Sequence, residues 1–286
     1  MTSDAFDDSL LQQWVGKTET VSARVNAVTA NALAATLDRP DQFDAGAGLP
    51  PLWHWAYFWH AAPQSELGPD GHPQRGGFLP PAPLPRRMWA GGRLTFSRPL
   101  QVEGEATRSS QVKSVSSKQG ATGPLVFVTV RHELAQEGAV CVSEEHDIVY
   151  REMPQPGAAA PAPKMAPAEA AWERRIVPDP VLLFRYSALT FNGHRIHYDR
   201  SYVTEVEGYP GLIVHGPLIA TLLVDLVQRN LPQARIASFS FRAVGPLFDI
   251  EPFTVCGSPD PDGRTVRLWA KNIRGELAMQ AEALLA

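Results

Sequence analysis

Residues 154–168 read PQPGAAAPAPKMAPA, five prolines and six alanines in one run. Proline has no backbone donor, fixes its own φ and drives its predecessor out of the helical region. Such a run sustains neither a strand ladder nor a stable helix, so an extended linker is expected over 153–168. It divides the 286 residues into parts of similar size, 1–152 and 169–286. Length alone suggests about two domains at ~150 residues each. A second clump, residues 63–85, holds seven prolines and four glycines and marks a long loop inside the first part.

The two parts read alike. In the first, a helix-like acidic start ends near Trp14, residues 18–25 alternate as a strand, and Thr29 is positioned to cap a helix ending at Leu37. An aromatic segment, residues 51–58, is read as a buried helix or wall. Strands are then expected at 92–99, 106–116, 125–135 and 139–150, rich in Val, Thr and Phe and punctuated by Gly or Pro. In the second part, residues 182–189 read as a strand. A helix runs from His215 to Leu231, with Pro217 in its first turn and Pro232 beyond its end. Strands follow at 234–243, 253–258, 265–273 and 276–285. A helix followed by an antiparallel meander, stated twice, is an α+β plan.

Composition narrows the function. Hydrophobic residues at 44% and charged residues at 20% exclude a disordered chain. A net charge of −4 with no Lys/Arg run excludes an evident nucleic-acid partner. The longest apolar run, residues 218–224, is far short of the ~20 residues of a membrane helix. The opening MTSDAFDD has no basic and apolar leader pattern, so a cytoplasmic protein is expected. Cys141 and Cys256 have neither a CxxC neighbour nor a histidine at ligand spacing. They read as buried thiols; no metal and no cofactor are expected.

Chemistry concentrates in the second part. His194, His197 and His215 fall within 22 residues, with Asn192 and Asp199 among them. They converge on a helix that opens His215-Gly-Pro. The start of such a helix offers free N–H groups and the positive end of its dipole, and glycine allows close approach. A carbonyl oxygen there would be polarised as in an oxyanion hole. Histidine supplies acid–base chemistry near neutral pH. No GxSxG elbow is present. His54 reads as a packing residue, and His60, His72, His132 and His146 as surface or strand residues.

Asn192-Gly-His-Arg-Ile-His197, followed by Gly211 and His215-Gly216, resembles the hydratase motif of MaoC-like enoyl-thioester hydratases. The longer string from Arg185 to Asp199, with Leu49-Pro-Pro-Leu-Trp-His-Trp55, is similar to their double-hotdog branch. That branch holds hydroxyacyl-thioester dehydratase type 2 and the mesaconyl-C4-CoA and itaconyl-CoA hydratases. The resemblance implies two helices, each wrapped by a curved antiparallel sheet, and a hydro-lyase that adds water to an enoyl-CoA. CoA is then part of the substrate, and a homodimer is compatible with the plan. It also implies His197 as the acid–base group and Gly216 as the oxyanion donor. The motif's aspartate is Asn192 here, and an amide cannot serve as the base. Asn192 is left to hold water or substrate. His194 stands where the motif has asparagine, Asp199 is placed to orient an imidazole, and His215 sits at the helix cap. Trp53, Trp55, Tyr57 and Phe58 would line the acyl pocket. Short branched dicarboxyl thioesters, such as 3-methylfumaryl-CoA or itaconyl-CoA, are the implied substrates. Their carboxylate needs a cation, and Arg86, Arg87, Arg93, Arg195 and Arg242 are the candidates, Arg242 because burial among apolar neighbours would demand an anion. A fatty-acid dehydratase, a hotdog thioesterase and an acyl-binding module remain open alternatives.

Overall fold

A computed structural model describes residues 8–120, 123–153 and 162–286. Residues 154–161 of the expected linker lie outside the described residues. The alternating runs form ten strands: β1 Thr18–Arg24, β2 Arg86–Phe96, β3 Glu105–Gly120, β4 Gly123–Gln136, β5 Ala139–Arg151, β6 Trp172–Ile176, β7 Ile236–Ala243, β8 Phe253–Pro259, β9 Thr265–Asn272 and β10 Leu277–Leu285. All pair antiparallel in one sheet, ordered β1-β3-β4-β5-β2-β7-β10-β9-β8-β6. From the centre outward, β2-β5-β4-β3-β1 is mirrored by β7-β10-β9-β8-β6. The halves therefore join as strand neighbours, from Gly91 opposite Arg242 to Thr95 opposite Ser238. Gly91 allows this seam: a Cβ there would sit 2.5 Å from the Phe241 carbonyl oxygen.

Among the described residues four α-helices accompany the sheet: α1 Asp8–Gln12, α2 Ala27–Thr36, α3 Pro180–Leu189 and α4 Gly216–Asn230. The cap of α2 is Asn26 rather than Thr29; Asn26 Oδ1 accepts from the Thr29 N–H at 2.8 Å. Residues 182–189, expected as a strand, are helical. Asp179 caps α3 by accepting from the Leu182 N–H, and Pro180 opens it. Helices α2 and α3 each follow the first strand of their half, and they pack on one another.

Helix α4 lies under β6, β8, β9 and β10, with every residue from Leu218 to Val227 buried. A helix apolar on all sides belongs inside a core. Asp225 is the buried charge on it, 1% exposed. Its carboxylate pairs with Arg39 after α2 at 3.0 Å, Arg174 of β6 at 2.6 Å and Arg229 of α4 at 2.7 Å. One buried anion thus ties the central helix to both halves.

The first half has no counterpart of α4 among the described residues. Between α2 and β2 run two short 3-10 turns, Trp53–Ala56 and Gln64–Glu66, and the proline-rich loop. Under this sheet a polar band separates two apolar clusters. Glu144 of β5 accepts from Trp55 Nε1 at 3.1 Å, with His54 Nε2 at 3.1 Å and His146 Nε2 at 3.0 Å. Burial alone would raise its carboxyl, but His146 and His54 hold it well below the usual range. His132 of β4 bonds Ser110 beside them. Cys141 and Cys256 are buried and free, and no helix of the described residues is long and apolar enough to cross a membrane.

The Asp225 cluster yields an expectation for stability. Asp225→Asn keeps the shape but leaves three guanidiniums without their common anion. Breaking a buried ion pair from one side costs about 3 kcal/mol or more. Urea unfolding should show the loss as a lower midpoint with an unchanged slope; an unchanged midpoint would remove the cluster from the core's support.

Candidate active site

Gly216 holds the first helical position of α4, behind His215 as cap and before Pro217. Its N–H has no intrahelical partner, and no described residue accepts from it. A Cβ built there would meet nothing within 4 Å. Open space thus lies against the positive end of a 15-residue helix.

His197 closes the 3-10 turn Arg195–His197 and is 7% exposed. Its Nδ1 lies 2.7 Å from the Ile213 carbonyl oxygen. A carbonyl only accepts, so Nδ1 carries the proton and Nε2 keeps its lone pair. The ring stacks on His215 at 3.7 Å and 19°. His215 is fully buried, with Nε2 2.8 Å from Ser187 Oγ of α3 and Nδ1 without a partner. Burial brings His197 down to about 4 despite the Ile213 bond, and pushes His215 well below its ordinary value. Both imidazoles are uncharged near neutrality.

His194 meets the edge of His197 at 5.4 Å and the ring of His72 at 4.1 Å. Burial, then the neighbouring His72, lowers it to about 2. His72 comes from the proline-rich loop of the first half, although its sequence context suggests a surface or strand residue. Its Nδ1 lies 2.9 Å from Asp70 Oδ2. Burial and the Arg87 charge bring it down to about 4, against the pull of Asp70. Burial would raise Asp70, but the hydrogen bond and charge of His72 carry it below the carboxylate range. The line His72, His194, His197, His215 therefore crosses from one half to the other. The signal for His72 was the turn Asp70-Gly71-His72 within a loop that had no other reason to carry a histidine.

The loop docks by backbone. The Arg195 N–H donates to the Asp70 carbonyl at 2.9 Å, and Arg195 Nη1 to that of Pro69 at 2.9 Å. Gly71, at φ +86, lies so close that a Cβ would stand 1.9 Å from the Gly193 oxygen. Asn192 follows Phe191, itself left-handed at φ +49. Asn192 Oδ1 accepts from the His194 N–H at 3.0 Å, which leaves Nδ2 without a partner among the described residues.

The remaining candidates separate. Asp199 meets no imidazole: its carboxylate accepts from Arg195 at 2.7 Å, from Ser201 and from the Tyr202 N–H. Arg195 is spent on Asp199 and lies over the Tyr202 ring. Trp53 and Tyr57 belong to the core: Trp53 packs on Phe43, and the Tyr57 hydroxyl donates to the Asn26 carbonyl. Phe58 is buried with them. Trp55 instead joins Trp89, His146 and Phe241 beside the polar band. Arg242 is exposed, because Phe239 and Phe241 take the inward positions of β7. Asp70, His72 and His194 bring one ligand atom each within 4.8 Å, as do His132, Glu144 and His146. In both sets a carboxylate already has a histidine for a partner.

Comparison with known proteins adds the following. The family described as hydroxyacyl-thioester dehydratase type 2 matches residues 52–249. The mesaconyl-C4-CoA hydratase of Chloroflexus aurantiacus is 49% identical over 272 residues, covering 94% of this chain and 95% of its own. A MaoC-like dehydratase structure from Phytophthora capsici superposes with a TM-score of 0.71 at 16% identity, covering 98% of this chain and 99% of its own. A Mycobacterium tuberculosis protein described as having a double hotdog fold gives 0.59 at 14% identity, over 95% and 96%. The ten-strand sheet is thus a double hotdog.

The lowered histidines predict a pH response. In the unfolded chain they titrate near 6.5, whereas His72 and His197 hold out to about 4 when folded. Below 6.5 the unfolded state binds more protons, so stability is fully present above 6.5 and drains as pH falls toward 4. Each such histidine accounts for about 3 kcal/mol over that interval. The melting temperature should fall steadily from pH 7 to pH 5, and less steeply in His197→Gln; equal slopes would contradict the assignment.

Proposed function

The chain belongs to the hydroxyacyl-thioester dehydratase type 2 family and is a hydro-lyase of acyl thioesters, and on that premise we propose that it reversibly hydrates a short branched dicarboxyl enoyl-CoA of the 3-methylfumaryl (mesaconyl-C4) type. Identity of 49% across nearly the whole of both chains supports this substrate over a long fatty chain. One observation carries the mechanism: the Ile213 carbonyl holds the proton of His197 on Nδ1, so Nε2 is a free base beside an unpartnered helix N-terminus.

The thioester oxygen accepts from the Gly216 N–H, in the field of α4. As water adds to the β-carbon, one of its protons passes to His197 Nε2, and charge gathers on the thioester oxygen as an enolate. The imidazolium then delivers that proton to the α-carbon. Water is consumed, a C–OH and a C–H bond form, and His197 returns to its starting state. The low pKa of His197 suits the second half of this cycle, since an imidazolium in a dry site gives up its proton readily. Asn192 Nδ2 has no other partner and is the donor for the oxygen of the water. His215, stacked on His197, holds that ring in plane.

His197→Ala should lower kcat by about 10² or more, the usual worth of a general acid–base. Gly216→Ala should fold normally, since its Cβ meets no protein atom, yet lose activity by filling the space before the N–H. The assay follows absorbance of the conjugated 3-methylfumaryl thioester and identifies the product. A hydroxyacyl-CoA is expected; release of free CoA thiol would make the protein a thioesterase instead. Wild-type turnover by His197→Ala would refute its role.

A further inference from the structure

We propose that Arg87 is the residue that binds the free carboxylate of the substrate and so sets dicarboxyl specificity. This rests on the reading above. In a mesaconyl-C4 thioester the carboxylate is borne by the β-carbon, the atom that receives water. Its counter-ion must therefore lie at the histidines, a pantetheine arm away from the CoA phosphates.

The candidate cations can be sorted by what they already hold. Arg86 pairs with Glu207 at 3.4 Å and lies over the Tyr209 ring. Arg93 is held by Glu145 and Asp147, and Arg195 by Asp199. Arg242 points to solvent. Arg75, near His72, gives its N–H groups to the carbonyls of Ala82, Leu84 and Pro85. Arg87 is half-buried and makes no ion pair with any described residue. A guanidinium partly withdrawn from water without an anion is costly unless a ligand brings one.

A second observation lies beside it. Arg87 stands directly across β2 and β5 from Tyr150, so the two side chains share a face. Tyr150 is 1% exposed, and its buried hydroxyl faces the Arg87 guanidinium with no other partner among the described residues. Buried tyrosine hydroxyls ordinarily find a partner. A guanidinium without an anion and a hydroxyl that faces only that guanidinium form the complement of a carboxylate, two charge-assisted donors and a third neutral one. Arg87 lies within electrostatic reach of both His72 and His194. The first half would then contribute the selecting group and the second half the reacting ones.

The test is a specificity ratio. For wild type, Arg87→Gln and Arg87→Lys, kcat/KM is measured on 3-methylfumaryl-CoA and on crotonyl-CoA, which carries the same CoA but no carboxylate. Where crotonyl-CoA is not turned over, its inhibition constant against 3-methylfumaryl-CoA takes its place. Arg87→Gln should shift the ratio against the dicarboxyl substrate by about 100-fold, as loss of a charged hydrogen-bond partner does. Arg87→Lys should recover part of that. Tyr150→Phe should shift the ratio the same way by a smaller factor, about 5-fold. Equal losses on both substrates would place Arg87 at the CoA or in the fold and overturn the proposal. An unshifted ratio in a wild type active on 3-methylfumaryl-CoA would overturn it alone. A wild type inert on 3-methylfumaryl-CoA would overturn the substrate reading with it.

Discussion

The ladder between β2 and β7 is the constraint on which the rest of the molecule depends. Five residue pairs at the middle of the sheet set the relation of one half to the other. Backbone pairing has no tolerance for sliding, because a shift of one residue turns every side chain to the opposite face. The proline-rich loop leaves the first half directly ahead of β2, so its landing point on the other half is set by that register. His72 reaches His194 because Gly71 and Gly193 can touch backbone to backbone there. The histidine line is an interface between halves, built by two segments that lie outside the sheet.

Electrostatics divides the work. Four imidazoles are packed closely enough that none can hold a charge cheaply near neutrality, and burial enforces that state. Neutral histidines leave lone pairs available, which a base requires. Permanent charge is kept to the edges: Asp70 below His72, Arg87 beside it, and the dipole of α4 at Gly216. The first half carries its charge differently, in the Glu144 band beneath the sheet, where the second half has the apolar α4.

Much of this was legible in the residues, for reasons that differ by element. Strands β2 to β5 and β7 to β10 announce themselves through Val, Thr and Phe between Gly and Pro. β6 does not, because Trp-Glu-Arg-Arg-Ile is an edge strand with three charges in five positions. α3 was hidden by the apolar Leu182-Leu-Phe, although Asp179-Pro180 is a helix-start signal. Asn192 and His197 sit in one short stretch and Gly216 opens α4 a little further on, and His197 stacks on His215 at that helix's cap. His72 was out of reach for the opposite reason: it lies 122 residues before His194 and meets it only through tertiary docking. Arg242 has apolar neighbours in sequence, but the alternation of β7 turns it outward.

The mirrored order of the two arms has a consequence for change over time. Two separate copies of a half-sheet, paired about a twofold, would carry every substitution twice, once in each. On a single chain the arms can be altered one at a time. Among the described residues, one has an apolar helix beneath its sheet, while the other has a loop, a polar band and a guanidinium without an anion there. On the proposals made above, acyl preference and bond-making chemistry fall to different stretches of one polypeptide. Redesign can follow the same partition, reshaping the first arm for a new acyl group while the second is left untouched.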